Sequence, residues 1–130
     1  MIYLDTSAAT KLVHPEAEST PLMLFLAKRL ATPLVSSALL YPELVRAVSR
    51  HRPELASRAM ALLQRIMVVP LANDIVTNAA SIGSLTLRTL DALHLATAAA
   101  IGSELDAFVT YDKRLADAAS ALRLNVVAPA

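Results

Sequence analysis

Four carboxylates stand where acids are costly to keep. Asp5 ends the apolar run Ile2-Tyr3-Leu4, and Asp112 follows Ala107-Phe108-Val109-Thr110 with only Tyr111 between. Asp91 lies in an otherwise almost wholly apolar segment (LDALHLATAAAIG), and Glu43 sits three residues after Leu40 and four before Ala47, at the edge of an apolar stripe. Each has an ordinary reading when taken alone. Asp5 and Asp112 suit helix N-caps, Asp91 suits a helix N-terminus, and Glu43 suits a pair with Arg46 or Arg50 along its own helix. Together they require four separate coincidences, and carboxylates gathered without a compensating base repel one another and raise their own pKa values. A divalent cation resolves that repulsion. Hard oxygen ligands select Mg²⁺ or Mn²⁺, and Mg²⁺ takes few carboxylates while keeping waters for substrate phosphates.

The elements that must position these acids can be read from the apolar pattern. Ile2–Leu4, Pro33–Ser36, Ile66–Leu71, Ala107–Thr110 and Asn125–Val127 are short, β-prone and apolar without alternation, as strands of a parallel sheet covered on both faces are. Helical stretches lie between them: Thr6 to about Val13, Glu16–Leu30, Ser37–Arg50, Pro53 to about Arg65, a helix capped by Asn73-Asp74 and running through Ile82, Thr89–Ile101 and Asp112–Leu122. The alternation predicts an α/β fold, a single three-layer sandwich over residues 1–130 with a short, mostly parallel sheet of about five strands. In such sheets ligands bind beyond the carboxyl ends of the strands, near the topological switch point, which is where Asp5 and Asp112 fall.

Composition narrows the function classes. Ala (25) and Leu (23) make 48 of 130 residues and only 2 are Gly, which favours helix and excludes a turn-rich all-β sandwich. The absence of cysteine excludes a disulfide framework, a thiolate zinc site and a cysteine nucleophile. Basic and acidic residues number 12 and 11, so any basic footprint for nucleic acid must be local. The longest charge-free runs, Leu30–Pro42 and Ile75–Leu87, are 13 residues each, short of the roughly 20 that cross a bilayer. With a strand at the start and no signal peptide, a cytoplasmic protein is expected. His14 and His51 fall at helix ends, and His94, three residues after Asp91, reads as a hydrogen-bonded core residue outside the site. No Ser-His-Asp arrangement is offered.

Ile2-Tyr3-Leu4-Asp5-Thr6-Ser7-Ala8, Pro42-Glu43-Leu44, Leu90-Asp91-Ala92-Leu93-His94-Leu95-Ala96-Thr97-Ala98 and Phe108-Val109-Thr110-Tyr111-Asp112-Lys113-Arg114-Leu115 resemble, in order and spacing, the motifs of PIN domains. The resemblance covers essentially the whole chain and is closest in kind to VapC-type toxins of type II toxin–antitoxin modules. It implies a Mg²⁺- or Mn²⁺-dependent endoribonuclease held inactive by a cognate antitoxin. By the motif match Asp5, Glu43, Asp91 and Asp112 are the catalytic, metal-binding quartet, while Thr6, Ser7 and Thr110 occupy the hydroxyl positions that orient it. Asp117 is a rival for the last place, read as a solvated helix acid.

A receiver domain needs an aspartate ending the third strand, where Val69-Pro70-Leu71 stands, and an aspartyl phosphatase needs a second acid at the position of Ser7. Both fail. A non-catalytic α/β partner-binding module is the surviving alternative. Arg88, Lys113 and Arg114 flank the proposed site and are the candidate RNA contacts. Helices Glu16–Leu30 and Ser37–Arg50 carry Leu22, Leu26, Leu40, Leu44 and Val48, and with a mean hydropathy of +0.50 some of this surface is expected to exceed the core. With the family resemblance, that excess implies a homodimer and a groove for an amphipathic antitoxin segment.

Overall fold

A computed structural model describes residues 1–130. Five strands, β1 (Ile2–Leu4), β2 (Leu34–Ser37), β3 (Met67–Val69), β4 (Ala107–Val109) and β5 (Val126–Val127), form one parallel sheet in the order β3-β2-β1-β4-β5. Seven α-helices flank it: α1 (Thr6–Val13), α2 (Ser19–Ala27), α3 (Leu40–His51), α4 (Ala56–Leu63), α5 (Asn73–Ala79), α6 (Thr89–Ile101) and α7 (Lys113–Ala121). The expected α/β sandwich is thus present.

Successive residues of a strand face opposite sides of a sheet, and β1 shows how that divides the core. Ile2 and Leu4 join Ala107 and Val109 in a cluster with residues of α1, α3 and α4, while Tyr3 turns to the other face and packs with Val35, Leu95, Phe108 and Leu115. Tyr3 and Phe108 stack with ring centroids 5.1 Å apart. Because β2 lies on one side of β1 and β4 on the other, the strand order reverses at β1, and the crevice at its carboxyl end opens between the two directions.

Several boundaries differ from the expected ones. Ser37 belongs to β2 rather than to the following helix, and α3 begins only at Leu40; the buried Ser37 hydroxyl accepts the Leu39 N–H at 3.1 Å and turns the chain between them. The stretch Glu16–Leu30 contracts to Ser19–Ala27, because buried Ser19 accepts the Glu16 N–H and donates to the Lys11 carbonyl, holding a turn ahead of the helix. Pro53–Leu55 forms a 3₁₀ turn before α4, and α5 is N-capped at Ala72, not by Asn73-Asp74, and ends at Ala79 before Ile82. The large apolar residues expected to exceed the core are mostly inside it: Leu22, Leu40 and Leu44 are fully buried, Val48 is nearly so, and only Leu26 is partly open. Excess apolar surface does remain on the Glu16–Leu30 stretch, but at other residues than those expected, namely Met23 and Leu24 of α2 and Leu30 after it.

Candidate active site

Asp5 follows β1 directly, and its backbone N–H still donates to the Val109 carbonyl of β4 at 3.2 Å. The side chain is 3% exposed and fully engaged. Oδ1 accepts the Ala8 N–H at 2.9 Å, capping α1, and the Ser7 hydroxyl at 2.7 Å; Oδ2 accepts the Thr110 hydroxyl at 2.6 Å. Ser7 Oγ in turn accepts the Tyr111 N–H, and Thr110 Oγ1 accepts the Asp112 N–H. Asp112 caps α7 through the Leu115 N–H at 3.0 Å. Two strand ends and two helix starts are therefore tied into one knot of hydroxyls around Asp5. Burial pushes the Asp5 pKa up, and the hydrogen bonds from Thr110, Ser7 and Ala8 only partly offset that.

Glu43, in the first turn of α3, is held from the other side. Its Oε1 accepts the Thr6 hydroxyl at 2.9 Å and stands 2.7 Å from Nε2 of His94, whose Nδ1 is 2.7 Å from the Tyr3 hydroxyl. The pairing of Glu43 with Arg46 or Arg50 does not form. Asp91, in the first turn of α6, makes no side-chain hydrogen bond, and its pKa is raised by partial burial and then by the charges of Asp112, Asp5 and Glu43, with His94 pulling the other way. The charges of the other three acids of the quartet thus all act on Asp91. Asp117 is exposed on α7 and lines a separate groove with Gly83 and Ser84, away from the quartet. Arg88, Lys113 and Arg114 are exposed at the starts of α6 and α7.

The PIN domain model matches residues 2–121. The chain is 46% identical over 118 residues to Ribonuclease VapC47 of Mycobacterium tuberculosis, covering 88% of this chain and 87% of that protein. The chain belongs to the PIN-domain family, among the VapC ribonucleases. Its fold superposes on the crystal structure of M. tuberculosis VapC20, described as a Sarcin-Ricin loop cleaving toxin, with a TM-score of 0.79 at 18% identity over 99% of this chain and 100% of that one. It also superposes on VapBC2 from Rickettsia felis, bound to a DNA fragment from their promoter, with a TM-score of 0.74 at 17% identity over 100% of both chains.

The acids of this PIN domain are not preassembled into a cage, since no group of three acidic or histidine side chains is arranged to hold an ion. The donor set nevertheless suits a hard divalent cation. It consists of carboxylates and hydroxyls, Asp91 keeps its carboxyl oxygens without side-chain partners, and the like charges around it are a cost that a cation removes. Sequence reasoning left His94 and Tyr3 outside the site. His94 is indeed a buried, hydrogen-bonded core residue, and the structure adds that its partner is Glu43. The spacing of three residues between Asp91 and His94, which puts both on one helix face, was the available signal.

Proposed function

We propose that this PIN domain is a Mg²⁺- or Mn²⁺-dependent endoribonuclease, the toxin of a type II module, neutralised by a cognate antitoxin and acting in the cytoplasm. The observation that carries the proposal is that Thr110 ties Asp5 and Asp112 together at the ends of β1 and β4, while Thr6, next to Asp5, and His94, one turn after Asp91, both bond Glu43. Asp5 and Asp91 are the principal ligands, with Glu43 and Asp112 completing the quartet. When bound, the ion lowers the pKa of its water and offsets the charge that develops on the phosphate. The protein's own part is orientation. Ser7, Thr110 and the Ala8 N–H fix the Asp5 carboxylate, while Thr6 and His94 fix Glu43 through Oε1 and leave Oε2 without a hydrogen-bond partner. Arg88 precedes Asp91 at the start of α6, Lys113 and Arg114 follow Asp112 at the start of α7, and these exposed cations hold flanking phosphates of the RNA, Arg114 from the groove it shares with Asp117.

The partner reading rests on surface rather than on core residues. Met23, Leu26 and Leu30 of the α2 region and Leu62 of α4 line an apolar groove of 430 Å³ rimmed by Arg29, Arg58 and Arg65. It suits an amphipathic antitoxin segment, and the remaining exposed apolar residues of α2 suit a homodimer contact. The experiment is 5′-end mapping of cellular RNA after expression without antitoxin, beside the Asp5→Asn variant. Discrete new ends in the wild type only are expected. Identical end profiles in both, with toxicity retained, would leave the non-catalytic binding module as the better reading.

A further inference from the structure

Because Glu43 is drawn across to His94 and Thr6, the arginines that follow it on α3 are left without an acid. Arg46 and Arg50 are exposed and take part in no ion pair or side-chain hydrogen bond. Four residues apart on a helix, they rise from one stripe about 6 Å apart along the axis. With Thr6, Glu43, Leu39 and Leu90 they line an open groove of 470 Å³. Its lining includes Glu43, a member of the proposed acid quartet, and, three and seven residues farther along α3, two guanidinium groups that stay charged at any working pH and match phosphate geometry.

This arrangement favours one occupant. A phosphodiester held at the acids belongs to a chain that must continue out of the site, and the groove is a path that starts at the quartet and becomes positive within one helical turn. We infer that Arg46 and Arg50 form a phosphate-binding track for the RNA strand leaving the acid cluster along α3, separate from Arg88, Lys113 and Arg114. The inference rests on the ribonuclease reading and deepens it.

The test is fluorescence anisotropy of a short, fluorescein-labelled single-stranded RNA of mixed sequence, titrated over a range of NaCl with EDTA present so that binding is read without cleavage. Three proteins are compared: wild type, Arg46→Gln/Arg50→Gln, and Lys28→Gln/Arg123→Gln. The last loses the same charge from exposed positions that line neither this groove nor the α2–α4 groove. Thermal melts confirm that all three fold. Each phosphate contact on a single strand contributes about 0.7 to the slope of log affinity against log salt, so the first double variant should lose about 1.4 and the control far less. An unchanged slope in Arg46→Gln/Arg50→Gln overturns the inference, as does an equal loss in both variants, which marks diffuse attraction. Unchanged RNA binding with weakened antitoxin binding reassigns the groove to the protein partner. A wild type that binds RNA at no salt concentration removes the ribonuclease reading together with the track.

Discussion

Burial pushes the Tyr3 pKa up, so its phenol stays protonated. His94 stands between that phenol and Glu43, with Nδ1 2.7 Å from the Tyr3 hydroxyl and Nε2 2.7 Å from Glu43 Oε1. This chain decides which oxygen Glu43 presents, so His94 is a positioning residue. His94→Phe should lower kcat by about 10–100-fold, the usual cost of losing such a partner, with RNA affinity measured in EDTA unchanged. Loss of affinity with kcat intact would assign His94 to RNA binding instead. A second prediction concerns pH. The folded pKa of Asp91 is raised, so the folded protein holds this proton more tightly than the unfolded chain does. The resulting stability is complete below the ordinary value of 3.8 and is lost as pH rises through the raised value. Metal-free Asp91→Asn should therefore melt above wild type at neutral pH, with the gap closing as pH falls toward 4. Melting curves in EDTA across that range check it, and a gap that widens on acidification contradicts the sign.

At the scale of elements, Asp5 and Asp112 are helix caps, so the ordinary reading of each holds, and it is compatible with the metal-binding role proposed for them. Each aspartate satisfies a backbone N–H at the start of its helix, Ala8 for Asp5 and Leu115 for Asp112. The consequence is a separable cost. Asp112→Ala should lose about 1 kcal/mol of stability along with activity, whereas Asp112→Asn, which keeps a capping oxygen, should lose activity with much less change in melting temperature. Equal melting temperatures for the two variants would show that the cap contributes nothing. The strand ends carrying these acids were legible because apolar runs stop abruptly at Asp5 and at Thr110-Tyr111-Asp112, a pattern local in sequence. The Tyr3–His94–Glu43 chain was not, since its bonds join residues 91 and 51 positions apart, and a lone histidine in an apolar helix carries no mark of its partner. Helix starts were misplaced for a similar reason: nothing local in the sequence marks the Ser19 and Ser37 hydroxyls as buried and holding the turns ahead of α2 and α3.

For the whole molecule, alternating strands and helices specify a parallel sheet, but nothing in the one-dimensional pattern states the order β3-β2-β1-β4-β5 that brings Asp5 and Thr110 together. Nor could hydropathy divide core from contact surface. Leu22, Leu40 and Leu44 are interior, while Leu30, with the same side chain, is 82% exposed. Met23→Gln/Leu30→Gln should consequently leave the melting temperature close to that of wild type and weaken co-purification with the antitoxin; retained co-purification would move that interface elsewhere. The central claim is that the acids of this molecule act through a divalent ion. It is tested most directly by incubating purified wild type and Asp91→Asn with RNA in EDTA and again with added Mg²⁺ or Mn²⁺, beside melts showing both proteins folded. Cleavage by wild type only with added metal, and none by Asp91→Asn under either condition, is the predicted result. Undiminished cleavage in EDTA, or full activity in Asp91→Asn, would contradict it.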